Sequence, residues 1–150
     1  MAETLLRNKK ANLDYEILKS FEAGLELLGL EVKTLRGKHG SLEGSHATVR
    51  GGEAYLINMN IPPYQMANTA PDYDPHRTRR LLLTKEEIEE MAQSEAQKGL
   101  TLVPFSVYNK GQKIKIEINV VRGRKKYDKR DVLKKRDTER ELRRDVSARL

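Results

Sequence analysis

The chain contains no cysteine and no tryptophan. Without cysteine it can build no disulfide framework, no thiolate metal site and no cysteine nucleophile. Such a chain suits a reducing compartment, and the cytoplasm is the expected location. Its 150 residues include two Phe and six Tyr, too few for the row of exposed rings on which single-strand-binding barrels stack unpaired bases. Long apolar runs are missing as well. No stretch approaches the roughly 18 apolar residues that a membrane-crossing helix needs, and the N-terminus has no apolar segment of signal-peptide length. Catalytic constellations are equally scarce. His39, His46 and His76 lie far apart and none stands at H-x-x-x-H spacing from another ligand, so no metal is expected. There is no G-x-S-x-G, and the GKHGS at residues 37–41 lacks the leading glycine and the Lys-Ser/Thr pair of a phosphate loop. The pairs Glu86/Glu87 and Glu89/Glu90 fit a solvated helix N-terminus better than an acid–base pair. These absences predict a binder rather than an enzyme, with no cofactor and no metal.

What the chain has in excess is positive charge, and it is concentrated. Lys and Arg number 29 against 22 Asp and Glu, a net +7. Residues 122–150 hold 13 of the basic and 6 of the acidic groups, which leaves residues 1–121 with 16 of each and no net charge. A neutral body of one-domain size with a tail too polar to join its core suggests a module that docks by its body and reaches by its tail. The target is a polyanion, because clustered Lys and Arg displace counterions condensed on phosphates. A solvated terminus that aids solubility is the competing reading. A lipid surface is disfavoured, since the tail has few apolar residues and neither Trp nor Phe. Within the body, basic residues gather at Arg7, Lys9 and Lys10, at Lys33, Arg36 and Lys38, and at Arg77, Arg79 and Arg80. With aromatics so few, a folded RNA recognised by shape and backbone fits best.

Periodicity supplies the fold. Tyr15, Ile17, Phe21, Ala23, Leu25 and Leu27 alternate with Glu16, Glu22 and Glu26, the period of a long half-buried strand with a bulge or bend at Gly24. Leu28, Val32 and Leu35 then predict a short helix ended by Gly37, with Glu31, Lys33 and Arg36 facing out. Two β-prone runs flank Gly51-Gly52, a hairpin signal. Residues 62–75 carry four prolines and read as a long irregular connection. Residues 84–99 form the clearest helix, opened by a Thr84–Glu87 capping box. Residues 100–108 and 113–121 form a second hairpin. The expected fold is mainly β: five or six antiparallel strands in a small OB-type barrel, with two or three short helices, over residues 1–121. The tail, residues 122–150, is expected to be disordered when free and helical once bound. Its few apolar residues at helical spacing, Leu142, Val146 and Leu150, cannot hold a helix alone.

An ordered series of short segments carries a resemblance. Asn8-Lys9-Lys10-Ala11, Asp14-Tyr15, Glu22-Ala23-Gly24 and Glu31-Val32-Lys33-Thr34-Leu35-Arg36 open it. Gly52-Glu53, Tyr55-Leu56, Asp74-Pro75, Arg77-Thr78-Arg79-Arg80-Leu81-Leu82-Leu83 and Thr101-Leu102-Val103-Pro104 continue it, and Gly123-Arg124-Lys125-Lys126-Tyr127-Asp128-Lys129-Arg130 closes it. In this order they resemble the SsrA-binding protein (SmpB) family. The resemblance implies a partner of transfer-messenger RNA (tmRNA), bound at its tRNA-like domain. It also implies work on stalled ribosomes in trans-translation, with the tail in the small-subunit decoding centre and mRNA channel. By position, Asn8, Lys9, Glu22 and Leu82 match places implicated in RNA binding. Lys10, Lys33, Arg36 and Arg79 join them as members of the basic clusters. Gly123, Arg124, Lys125, Lys126, Tyr127, Asp128, Lys129 and Arg130 match the tail motif that acts on the ribosome. Leu13 departs from the pattern, standing where some members carry His, and Arg124 stands where Lys is usual. A monomer without a membrane partner is expected. The alternative is a generic ribosome-associated OB protein that binds ribosomal RNA.

Overall fold

Gly51 and Gly52 both take positive φ, 58° and 79°, as a two-residue type I′ turn requires. The turn ties β3 (His46–Arg50) to β4 (Glu53–Ile57), in register from Arg50↔Glu53 to His46↔Ile57. Gly111, at φ 65°, does the same for the long pair β6 (Leu100–Lys110) and β7 (Lys113–Gly123). The long alternating run is β2 (Tyr15–Leu25). Two further strands, β1 (Glu3–Arg7) and β5 (Arg79–Leu82), were not expected. They raise the strand count to seven from the five or six read in the sequence. The helices are α1 (Lys9–Asp14), α2 (Gly29–Arg36) and α3 (Lys85–Ala96). The computed structural model describes residues 2–65 and 71–123. The expectations for residues 124–150, and for the middle of the 62–75 connection, lie outside the described residues.

The strands run in the order β1-β6-β3-β4-β5-β2-β7, and β7 pairs back onto β6. Six strands therefore close a ring, the antiparallel OB-type barrel that was expected. Strand β1 takes the part of the β6 edge that β3 leaves, pairing Arg7↔Ser106 through Glu3↔Asn109. Strands β3 and β6 share one paired position, Ala47↔Leu102. Helix α3 packs across that seam, and its Glu95 carboxylate accepts from Thr48 Oγ1 at 2.6 Å and from the Val49 amide at 3.1 Å. Its N-terminus carries the expected capping box, with Thr84 Oγ1 accepting from the Glu87 amide at 3.2 Å and Glu87 Oε1 from the Thr84 amide at 3.1 Å.

The core is the barrel interior, filled among others by Leu35, Leu56, Met59, Leu81, Met91, Ile116 and Ile118. A smaller cluster, Ala11, Val103 and Val121 with Tyr15 and Phe105, lies on the outer side under α1. The sequence alternation in β2 changes phase between these two cores. A bulge at Leu18 places Ile17 opposite Val121 of the outer cluster and Lys19 opposite Val120 of the inner one. Ile17 is therefore exposed at 45% rather than buried with Phe21 and Ala23. The irregularity expected at Gly24 sits six residues earlier instead.

Two side chains read as lying at the surface are buried. Glu31 does not face out and Arg79 is enclosed: they are 2% and 0% exposed. Arg79 Nη2 and Nε donate to Glu31 Oε2 at 2.6 and 2.9 Å, and Arg77 Nη2 donates to Oε1 at 2.5 Å. Tyr73 Oη adds a bond to Oε2 at 3.0 Å, the Leu28 amide one to Oε1 at 2.8 Å, and Arg79 Nη1 donates to the Met59 carbonyl at 2.7 Å. A buried charge persists only when paired and hydrogen-bonded. The pair meets both conditions, and it pins α2 to β5 and to the 71–78 segment.

Candidate nucleic-acid interface

Alternation along four neighbouring strands builds one continuous outer face. In β2, Phe21 and Ala23 enter the core, so Glu22 and Gly24 point outward. In β7, Ile116 and Ile118 enter it, so Lys115 and Glu117 point outward. The pairings align these residues into two rungs. One runs Arg7, Ser106, Glu117, Glu22 across β1, β6, β7 and β2. The next runs Thr4, Tyr108, Lys115, Gly24, Leu82 and reaches β5.

Glu22, expected from the sequence to project from this face, does so. Its carboxylate accepts from Tyr108 Oη at 2.5 Å and from Lys110 Nζ at 2.9 Å. Those two bonds, the tyrosine's first, hold the Glu22 carboxyl below the ordinary carboxylate value. Burial and the same carboxylate push the Tyr108 phenol up, so tyrosine stays a donor. The acid thus fixes a lysine and a phenol at set positions on the face.

Leu82 stands beside Glu22 on the neighbouring rung, 47% exposed. It packs onto bare backbone: a Cβ built on Gly24 would lie 3.2 Å from Leu82 Cβ. Around it opens a groove of about 450 Å³ that Arg36, Lys113 and Lys115 also line. Arg36 comes from α2 and donates to the Gln112 carbonyl at 2.9 Å, which anchors the β6–β7 turn to that helix.

At the other end Asn8 does structural work. Its Oδ1 accepts from the Ala11 amide at 3.3 Å, capping α1, while Nδ2 donates to the Pro104 carbonyl at 3.1 Å and the Leu42 carbonyl at 3.4 Å. It therefore sets the direction of α1, whose first residues are the exposed Lys9 and Lys10. Lys10 also pairs loosely with Glu43 at 3.8 Å. Lys33 is exposed on α2, with its Nζ 5.9 Å from the Tyr64 ring centroid. Gly123 ends β7 opposite Tyr15 and so belongs to the barrel, two residues past the body boundary read from the sequence; Arg124 to Arg130 lie outside the described residues.

The sequence-predicted residues thus divide. Lys9, Glu22, Arg36 and Leu82 share one side of the barrel, Asn8 supports it, and Arg79 is buried away from it. Tyr108, Lys110, Lys115 and Glu117 were missed. For Lys115 and Glu117 a signal existed, their alternation with Ile114, Ile116 and Ile118. For Tyr108 and Lys110 none did, because only the barrel register brings them to Glu22, 86 and 88 residues away.

The model of the SmpB protein family matches residues 5–148 of this chain. The SsrA-binding protein of Gloeothece citriformis is 44% identical over 137 residues, covering 91% of this chain and 88% of that one. That of Thermosynechococcus vestitus is 42% identical over 147 residues, covering 98% and 97%, and that of Caldicellulosiruptor bescii 47% identical over 141 residues, covering 94% and 89%. Among solved structures, a chain from the one described as "tmRNA-SmpB: a journey to the center of the bacterial ribosome" superposes with a TM-score of 0.67 at 40% identity, covering 85% of this chain and 93% of that chain. The chain belongs to the SmpB family of SsrA-binding proteins.

Proposed function

We propose that this chain binds the tRNA-like domain of tmRNA with the outer face of its barrel and brings that RNA to stalled ribosomes for trans-translation. The observation that carries this reading is the face itself, two rungs across five strands with lysines and arginines at both ends and one exposed leucine. Lys9, Lys110, Lys113, Lys115 and Arg36 supply phosphate contacts, and Leu82 supplies an apolar contact to a sugar or base. Glu22 fixes Lys110 and Tyr108 and remains an acceptor for base amino groups. The chain acts by binding and positioning, with no chemistry of its own. Residues 124–130 and the tail beyond serve the ribosome rather than the RNA grip, which accounts for a basic tail on a neutral body.

The test is the RNA that co-purifies with the chain under near-physiological salt. One abundant RNA with a tRNA-like end is expected. Recovery of ribosomal RNA alone would favour the generic ribosomal binder. Replacing Lys110 and Lys115 together by Ala should weaken binding of the isolated tRNA-like domain and flatten its salt dependence by about two phosphate contacts.

A further inference from the structure

The groove at the α1 end of the face differs in chemistry from the one around Leu82. It encloses about 520 Å³ and is lined by Arg7, Lys9, Phe105, Ser106 and Glu117, with Thr4 and Asn8 at its sides. Arg7 and Lys9 are exposed. Glu117 is half-buried, and no ion pair neutralises it among the described residues. Its hydrogen-bond partner there is Asn119, whose Nδ2 donates to Oε2 at 3.0 Å. Asn119 is only 1% exposed, so the carboxylate is held by a buried side chain rather than left to swing in solvent. Phe105 arrives by a separate device. The β6–β7 register slips between Pro104 and Ser106, leaving Phe105 as the extra residue of a bulge, a feature that re-aims side chains beside binding sites. Its other side packs on the outer cluster of Ala11, Val103 and Val121.

A groove with cations at its rim and an unpaired, oriented carboxylate within repels a phosphate where the carboxylate sits. It suits a ligand that carries N–H donors at one edge, an aromatic face, and phosphates on either side. A nucleobase splayed out of a single-stranded loop has these features, with the base stacked on an aromatic ring and read on its Watson–Crick edge. Guanine alone offers two adjacent donors there, N1–H and N2–H, which a carboxylate accepts together. Adenine and cytosine set a ring acceptor beside the amino group, and uracil flanks one N–H with two carbonyls. We infer that this groove is a guanine-selective subsite in which Glu117 accepts from the base edge, Phe105 stacks the ring, and Arg7 and Lys9 hold the flanking phosphates. The inference deepens the RNA-binding reading and rests on it.

The experiment is fluorescence anisotropy of the full chain with labelled RNA pentamers UUGUU, UUIUU and UUAUU, where inosine lacks only the 2-amino group. UUGUU is expected to bind about tenfold more tightly than UUAUU, within the discrimination of one good bidentate pair, with UUIUU between them. Glu117→Gln should bring the three affinities together, and Phe105→Leu, which keeps the contact with the outer cluster, should weaken all three by a similar factor. Equal affinities in the unsubstituted chain overturn the subsite without recourse to any variant, as does a preference for UUGUU that survives Glu117→Gln. Binding of the tRNA-like domain is measured in parallel. If the unsubstituted chain holds that RNA but shows no base preference, the subsite alone fails; if it does not hold that RNA, the functional reading fails.

Discussion

Removing the Glu31 carboxylate would leave two guanidinium groups without a counter-charge, one of them with no exposed surface. Breaking a buried pair by removing one partner costs about 3–5 kcal/mol, so Glu31→Gln should lower the urea midpoint sharply while leaving the outer face chemically unchanged. Burial alone would raise the Glu31 carboxyl, but the bonds from Arg77, the Leu28 amide and Arg79 outweigh it and hold it below its ordinary value of 4.5. A carboxyl depressed in the folded state contributes stability that is fully present above the ordinary value and is lost as pH falls through the folded one. Urea midpoints between pH 7 and pH 3 should therefore drop more steeply for the natural chain than for Glu31→Gln. At Glu22 the expected effect lies in binding, not stability. Glu22→Ala releases Tyr108 and Lys110 and should weaken binding of the tRNA-like domain by about 1–3 kcal/mol, the scale of a hydrogen bond to a charged group. An unchanged binding curve with an unchanged circular dichroism spectrum would reduce Glu22 to an ordinary surface carboxylate.

Among the elements, β2 has the narrowest tolerance at Gly24. It meets β5 only at Gly24↔Leu82 and Leu25↔Leu81, and at the first of these pairs a Cβ would lie 3.2 Å from Leu82 Cβ, so that Leu82 must shift to admit a side chain. Gly24→Val should overpack this contact at a cost of about 1–3 kcal/mol, and it should also weaken RNA binding by displacing Leu82. Paired urea unfolding and gel-shift titrations would read both effects. This strand also shows what the sequence could reveal. Its core face at Phe21, Ala23 and Leu25 was legible from alternation, as the hairpins were from Gly51-Gly52 and Gly111, because those signals are local. The phase change at Leu18 was not legible, because the bulge is set by pairing with β7. Strands β1 and β5 were not, since five and four residues are too few for a period to stand out, and β5 opens with two arginines. Glu31 looked like a surface residue on its helical wheel because its partners Arg77 and Arg79 lie 46 and 48 residues away. The same distance problem hid Tyr108 and Lys110 from Glu22, although Glu22 itself, Leu82 and Lys9 were picked out.

At the scale of the whole molecule, the neutral body and the +7 carried by residues 122–150 imply separable tasks. Removing residues 131–150 should leave affinity for the tRNA-like domain within several-fold while abolishing peptide tagging on stalled ribosomes; loss of RNA binding on truncation would contradict the division. The barrel ring has one weak joint. Five of its six joints are ladders of two or more pairs, while β3 and β6 meet at Ala47↔Leu102 alone. That joint is a clasp, and Glu95 is its pin. Transient opening of the barrel should begin there, because local stability follows the hydrogen bonds and apolar contacts that must be broken. The Val49 amide hydrogen, which Glu95 holds, should then exchange with solvent sooner than those of the β2–β7 and β6–β7 ladders. Glu95→Ala should hasten that exchange at the clasp and leave the β2–β7 and β6–β7 ladders as slow as before, so that the barrel would breathe at one seam while the face proposed to hold RNA stayed shut.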